Sequence, residues 1–260
     1  FLASTTAQNG NRKSRTDNLY LDGETIKQLK QQPGETPSAH YNAYYHAALL
    51  LAWQLTGNNE FLSIAVKGLE CLMSVYPETK REQSETEEMC RLIFPLACLF
   101  EATRQEKHRD MLYRVANDLR KHLHPFGGYA EWDTGYKAHC SRREKGECSL
   151  LAENGDPVAD LLYSNNWLPM GFAYAYHATK DPFFRKLWEG IASFMIRTQL
   201  HSKNEKLDGA WCRCFDMELR EIYGVPHDVG WGPCCAETGW TTGEILIGLQ
   251  MMRIFELKQS

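Results

Sequence analysis

The chain has 260 residues, 43% of them hydrophobic, and a formal charge of −4 from 29 basic and 33 acidic side chains mixed along its length. That is enough apolar material for a substantial core in one or two domains, and the lack of a basic stripe argues against nucleic acid as a partner. No apolar run reaches the ~18 residues of a membrane span, because Gly248, Gln250, Arg253 and Glu256 break the richest stretch, 245–257. A chain that starts at Phe1 reads as a mature form or a fragment.

Residues 1–37 are polar, with Asn9-Gly10, Pro33-Gly34 and Pro37 as punctuation, and read as an N-terminal arm in which only 19–29 could form a short helix. From Ser38, a candidate cap, the apolar spacing turns helical and continues to the end as one domain, 38–260. The spacing predicts helices at 40–56, 60–76, 86–104, 106–123, 158–179, 182–200 and 236–257, with Pro95 and Pro169 expected to kink two of them. Strand-like alternation is scarce, so the fold class is all-α.

A short turn recurs between paired helices: LTGNNEF at Leu55, ATRQEKH at Ala102 and ATKDPFF at Ala178. Its threonines, Thr56, Thr103 and Thr179, are 47 and 76 residues apart, and the wider gap holds a glycine-rich insertion. Short turns alternate with long connectors, so in an up-and-down array every long connector lies at the same end.

Two of those connectors combine glycine, tryptophan and carboxylate: FGGYAEWDTGY (Phe126 to Tyr136) and LDGAWCRCFD (Leu207 to Asp216). Tight turns, a flat stacking face and proton chemistry together suggest a sugar cleft. Asp208, beside Trp211, is the leading general acid, with a turn aspartate that accepts backbone N–H bonds as the plain alternative. Hydrolysis needs a second carboxylate, for which Glu131, Asp133 and Glu237 are candidates; Glu237 equally suits a plain helix-start acid. Trp132, Trp211, Trp231 and Trp240 are candidates to stack on sugar or to plug the core, as are Tyr129, Tyr136 and Tyr163, whereas Trp53 and Trp188 read as core. Arg213 is the best placed of the arginines to clamp a sugar carboxylate, ahead of Arg142 and Arg143, and His227 could orient a hydroxyl or serve as a structural imidazole.

Helix hairpins joined by loops of the GGYAEW and DGAWCR kind resemble the (α/α)6 toroid of the six-hairpin glycosidases, including the unsaturated glucuronyl and rhamnogalacturonyl hydrolases. The resemblance covers roughly 38–260. It implies a glycoside hydrolase acting on uronic-acid-containing oligosaccharides, with Asp208 of KLDGAW in the place of the loop aspartate of those families, no cofactor, and a periplasmic or extracellular location with the cytoplasm left open. A polysaccharide lyase using Tyr163 or His227, and a helical-repeat module that only binds glycan or protein, are the alternatives. About seven main helices are too few to close the ring. It is therefore open, which would favour a homo-oligomer, or completed by helices preceding this chain.

Nine scattered cysteines do not describe a disulfide-stapled protein and are expected to be mostly reduced and buried. Glu88-Met89-Cys90 with Cys234-Cys235 resembles the zinc-and-cysteine β-arabinofuranosidases in outline. However, 144 residues separate Cys90 from Cys234, and Ala236-Glu237 follows the pair instead of a proline-rich run. Buried thiols remain the commoner reading for these and for Cys212 and Cys214, and no metal is expected.

Overall fold

The structure is a computed structural model and describes residues 3–12, 22–81, 83–132, 154–224, 232–237 and 239–257. Its helices are α1 (Gly23–Gln31), α2 (Ala39–Thr56), α3 (Asn59–Val75), α4 (Glu85–Thr103), α5 (Glu106–Leu119), α6 (Leu168–Thr179), α7 (Pro182–Thr198) and α8 (Trp240–Leu257). Side-chain caps start several of them. Asn58 accepts from Glu60 N (3.0 Å), Ser84 from Glu87 N (2.9 Å), and Asp181 from Phe183 N (2.8 Å) one residue before a first-turn proline.

The recurring threonine has one task in all three hairpins. Its hydroxyl donates to the carbonyl four residues back: Thr56 to Ala52 (2.7 Å), Thr103 to Leu99 (2.9 Å), Thr179 to Ala175 (2.7 Å). The next residue is left-handed, Gly57 (φ 71°), Arg104 (φ 53°) or Lys180 (φ 59°), and its N–H closes the helix end on the carbonyl of Trp53, Phe100 or Tyr176. The chain then reverses directly into α3, α5 or α7.

The hairpins divide into two layers. In α4 every residue from Thr86 to Leu99 is buried, so it lies inside, packed between α2 and α6, and α8 packs on the other side of α6. Helices α3, α5 and α7 each bury a single stripe, such as Leu112, Val115, Ala116 and Leu119 of α5, and lie outside. Since an outer helix separates each pair of inner ones, α2, α4, α6 and α8 run parallel, and their N-termini share one end. Glycines let the inner helices approach closely. A Cβ on Gly248 of α8 would stand 2.3 Å from Met170 N and 2.5 Å from the Pro169 carbonyl carbon. One on Gly171 of α6 would stand 3.1 Å from an Ile93 methyl of α4.

The arm docks on the first hairpin. Asn11 accepts from His46 Nε2 (2.7 Å) and donates to Gly68 O (3.1 Å), and Gly10 (φ 83°) lies so near Gly68 that a Cβ there would fall 2.5 Å from Gly68 N. Burial without a carboxylate partner drives the His46 pKa down to about 3, so the ring stays neutral and Nε2–H donates.

Three expectations are corrected. Residues 158–167 are not helical: strand β1 (Val158–Asp160) is followed by a turn and a 3-10 turn (Asn165–Trp167), because Asp160 Oδ1 accepts from Leu162 N (2.7 Å) and Tyr163 N (2.8 Å) and redirects the chain. Pro169 therefore opens α6 rather than kinking it. The last helix begins at Trp240, and Ala236–Glu237 form strand β5 against β2 (Trp211–Cys212). Strand β3 (Cys214–Asp216) pairs antiparallel with β1 on one side and with β4 (Glu221–Ile222) on the other. These small sheets tie the long connectors together over the inner helices. No described helix is long and apolar enough to cross a membrane.

Among the described residues, the first and last inner helices carry exposed apolar side chains: Tyr41 and Leu55 on α2, Ile247, Ile254 and Leu257 on α8.

The crossing of α6 and α8 gives a test within one helix. Gly248→Ala should lower stability by about 1–3 kcal/mol through overpacking against Pro169 and Met170. Gly243→Ala, whose Cβ meets nothing within 4 Å, should raise it by roughly 0.5–1 kcal/mol through helix propensity. Urea titrations of the two variants check the opposite signs.

Candidate active site

The two motif connectors do converge, over the N-terminal ends of α4 and α6. The first lies along the start of α4: Glu85 N donates to Trp132 O (3.0 Å), Thr86 Oγ1 to Ala130 O (2.9 Å), and Ser84 Oγ to the Glu131 carboxylate. The second reaches the same place through β1, with Leu161 N donating to Arg213 O (2.6 Å) and Glu131 N to Val158 O (2.9 Å). Phe126 of one connector stacks on Phe215 of the other, 5.8 Å between centroids.

Asp160 anchors this floor. Besides the two backbone N–H groups, it accepts from Arg213 Nε at 2.9 Å, and both side chains are about as buried as the core. Burial opposes the Arg213 charge, but the Asp160 carboxylate beside it holds the guanidinium pKa above its ordinary value. Glu131, also buried, has its pKa raised by burial and then by the neighbouring Asp160 charge, with Ser164 and Ser84 pulling the other way.

Four of the residues expected to bind or act on sugar are thus part of the interior. Trp211 is 1% exposed and donates its indole N–H to Met195 O (2.8 Å). Tyr129 is equally buried, its backbone bracketed by the Asn165 amide (2.8 and 2.9 Å). Arg213 is committed to Asp160 and has its guanidinium 5.0 Å from the Tyr163 ring centre, so it supports the floor rather than clamping a ligand. Glu131, in the first connector, is buried with its carboxylate turned to Ser84. Asp208 is exposed, with Oδ1 accepting from Ser202 N (3.0 Å) and its own N–H bonded to Asn204 O (3.0 Å); this is the turn role that was its plain alternative. Trp132 (38% exposed) packs on His122, and Trp240 (53% exposed) begins α8. Glu237 is in β5, its backbone opposite Trp211. Trp231, His227, Asp133, Tyr136, Arg142 and Arg143 lie outside the described residues.

What lines the mouth above this floor comes from the helices. His40 of α2 meets Glu87 Oε1 through Nδ1 (2.6 Å), and Arg91 Nε meets the same oxygen at 2.8 Å. The Arg91 guanidinium lies 4.6 Å from the Trp167 ring centre, and Tyr44 packs on the same indole at 4.4 Å. The His40 ring stacks toward Tyr163, 6.2 Å away. From α8, Glu244 accepts from Asn166 Nδ2 at 2.5 Å, and burial lifts its pKa to about 7 against the pull of Asn166 and Arg91. Trp167, Glu244 and His40 are only partly buried, so an indole, an acid and an imidazole reach solvent at the connector end, while Glu87 and Arg91 are buried against them.

These residues escaped sequence reading because they sit on helices, not in the glycine-tryptophan loops. The usable signal was a lone acid within an apolar helix, such as Glu244 in α8, and the Glu87, Glu88, Arg91 set that precedes the buried run of α4.

Glu88, the acid of the Glu-x-Cys element, has a different occupation. It accepts from Ala39 N (2.7 Å) and so caps α2 from within the neighbouring helix, while Cys90 is wholly buried, with its thiol pKa driven up by burial. Cys212 and Cys214 flank Arg213 and are held by backbone pairing to 233–236. Among the described residues, no group of three or more His, Cys, Asp and Glu is placed to hold a metal ion.

No protein-family model matches the chain, and no curated protein matches it in sequence. Its described helices share the α/α-toroid fold seen in glycosidase-like structures, of which they match a part. It is similar to an inactive variant of the α-1,6-mannanase GH76A of Salegentibacter sp. HEL1_6 in complex with α-1,6-mannotetrose, with TM-score 0.63 at 12% identity over 97% of this chain and 62% of that one. A glycosyl hydrolase family 88 protein from Bacteroides vulgatus gives TM-score 0.55 at 10% identity, over 89% of this chain and 67% of that one. A polysaccharide lyase gives 0.54 at 11%, over 91% and 67%. The chain spans 55 to 62% of the length of the mannanase structures.

The Glu88 cap yields a pH prediction. Burial, then the Glu87 charge, raises the folded pKa of Glu88 from 4.5 to about 7, against the pull of the Ala39 and His40 N–H groups. The unfolded chain therefore loses this proton first, and the Glu88 contribution to stability falls as pH rises from about 4.5 to about 7, by roughly 3 kcal/mol. His46 contributes the opposite slope in part of that range, so parent and Glu88→Gln must be compared. Unfolding titrations at several pH values should show the parent losing stability relative to the variant as pH rises through this window.

Proposed function

We propose that this chain carries the catalytic mouth of a glycoside hydrolase. The observation that carries the reading is that two carboxylates, the partly buried Glu244, lifted to about 7, and the buried Glu87, both face Arg91, beside the partly buried indole of Trp167. Glu244 holds its proton near neutrality and gives it to the leaving glycosidic oxygen as general acid. Glu87, held in place by His40 and Arg91, positions or activates the attacking water. Trp167, with Tyr44 and Arg91 on it, offers a rigid ring edge for the sugar.

The fold neighbours support the class. The mannanase structures include complexes with mannotriose and mannotetrose, and its inactive variants are substituted at two adjacent aspartates. The adjacent acids of the present chain, Glu87 and Glu88, stand at the start of an inner helix. The finer substrate is a uronic-acid-containing oligosaccharide, and Arg91 is the cation at the described mouth that would meet its carboxylate. A lyase is the second reading, favoured by Tyr163, whose ring lies between His40 and the Arg213 guanidinium. Its unsaturated products absorb in the ultraviolet, whereas those of a hydrolase acting on saturated substrate do not.

Kinetics of paired variants on uronate-containing oligosaccharides test the assignment. Glu244→Gln should lower kcat by about 10²–10⁴-fold while leaving ligand affinity within about threefold. Asp208→Asn should keep kcat within about twofold, and loss in Asp208→Asn with retention in Glu244→Gln would return the acid to the loop. In the parent, kcat/KM should fall as pH rises through about 7, when Glu244 loses its proton.

A further inference from the structure

The outer wall of the array holds a cavity whose lining includes none of the residues assigned to the mouth. Outer helices α5 and α7 touch where Tyr113 stacks on Phe183, 5.7 Å between centroids. Beyond that contact, a cavity of about 440 Å³ opens between α7 and the connector that follows α5. Its floor is buried and apolar, formed by Tyr129, Leu187 and Ile191. Gly190 keeps it open: a Cβ there would meet nothing within 4 Å.

The polar groups around the cavity are all of one kind. Arg120 and Lys186 are exposed cations, and Arg120 lies 5.5 Å from the Phe183 ring centre without leaving the opening. His124 accepts from Phe126 N through Nδ1 (3.1 Å), so in its neutral form the proton is on Nε2 and that nitrogen is a donor. No carboxylate is among the residues that line the cavity. The nearby acids are paired elsewhere, Asp118 with Lys121 and Glu189 with Arg185. The size falls in the range of small-molecule pockets, and the combination of apolar floor and unopposed cations selects a specific chemistry.

We propose that this cavity binds a small organic anion with a flat apolar body, an aromatic carboxylate, whose ring lies on Leu187 and Ile191 and whose charge meets Arg120 and Lys186. The site is independent of the Glu244 mouth.

Titration calorimetry of the full chain with 1-naphthoate, and with the neutral 1-naphthalenemethanol as its partner, tests this. Saturable binding of one naphthoate is expected, with the alcohol at least about tenfold weaker. Gly190→Leu, whose Cβ meets nothing within 4 Å and whose bulk takes up cavity space, and Lys186→Glu, on the surface, should each weaken naphthoate about tenfold or more. Glu244→Gln should bind naphthoate as the parent does. Absence of saturable binding, or equal affinity in Gly190→Leu and Lys186→Glu, would overturn the site, and equal affinity for the alcohol would overturn its anion selectivity.

Discussion

The connector end of this molecule depends on one buried carboxylate. Asp160 ends strand β1, turns the chain by accepting Leu162 and Tyr163 N–H groups, and pairs with Arg213 from a connector 53 residues away. A buried pair of this kind contributes little net stability when complete, yet leaving either partner alone typically costs about 3–5 kcal/mol. Its role is therefore one of specification: it fixes where the two connectors meet and where α6 begins. Asn166, Trp167 and Tyr163 take their positions from that turn, and with them half of the mouth.

The toroid supplies the other half. Because an outer helix returns the chain after every inner one, the inner helices are parallel, and the first two turns of α2, α4 and α8 deliver His40, Glu87, Arg91 and Glu244 to one end. Helix starts carry unpaired N–H groups and partial positive charge, which suits them to carboxylates. Glu88 illustrates the structural use of that property, since it caps α2 from α4. Glu87 is as buried as Glu88 but meets the side chains of His40 and Arg91 instead of backbone N–H groups, and Glu244 is only partly buried, which separates both from a capping acid.

Much of this frame was legible in the sequence. The helical spacing located the seven main helices, and the Thr56, Thr103 and Thr179 turns were readable because their physics is local, a hydroxyl bonded four residues back and a left-handed residue after it. The meeting of the two glycine-tryptophan connectors also followed from the alternation of short and long links. What was not legible depended on distant partners. Residues 158–167 read as helix because nothing near Asp160 reveals Arg213. An indole in a loop serves a cleft or caps a core equally well, and Trp211 is in the core because Met195 O waits for its N–H. The acids of the mouth were hidden in helices whose apolar periodicity made them look like solvated faces.

The most direct measurement of the central claim is a crystal structure of the Glu244→Gln variant soaked with a uronate-containing oligosaccharide. The account predicts a sugar ring against Trp167, with a glycosidic oxygen within hydrogen-bond reach of residue 244 and the opposite face of that sugar turned to Glu87. Density for the sugar at the Asp208 turn, or anywhere apart from the ends of α4, α6 and α8, would contradict it.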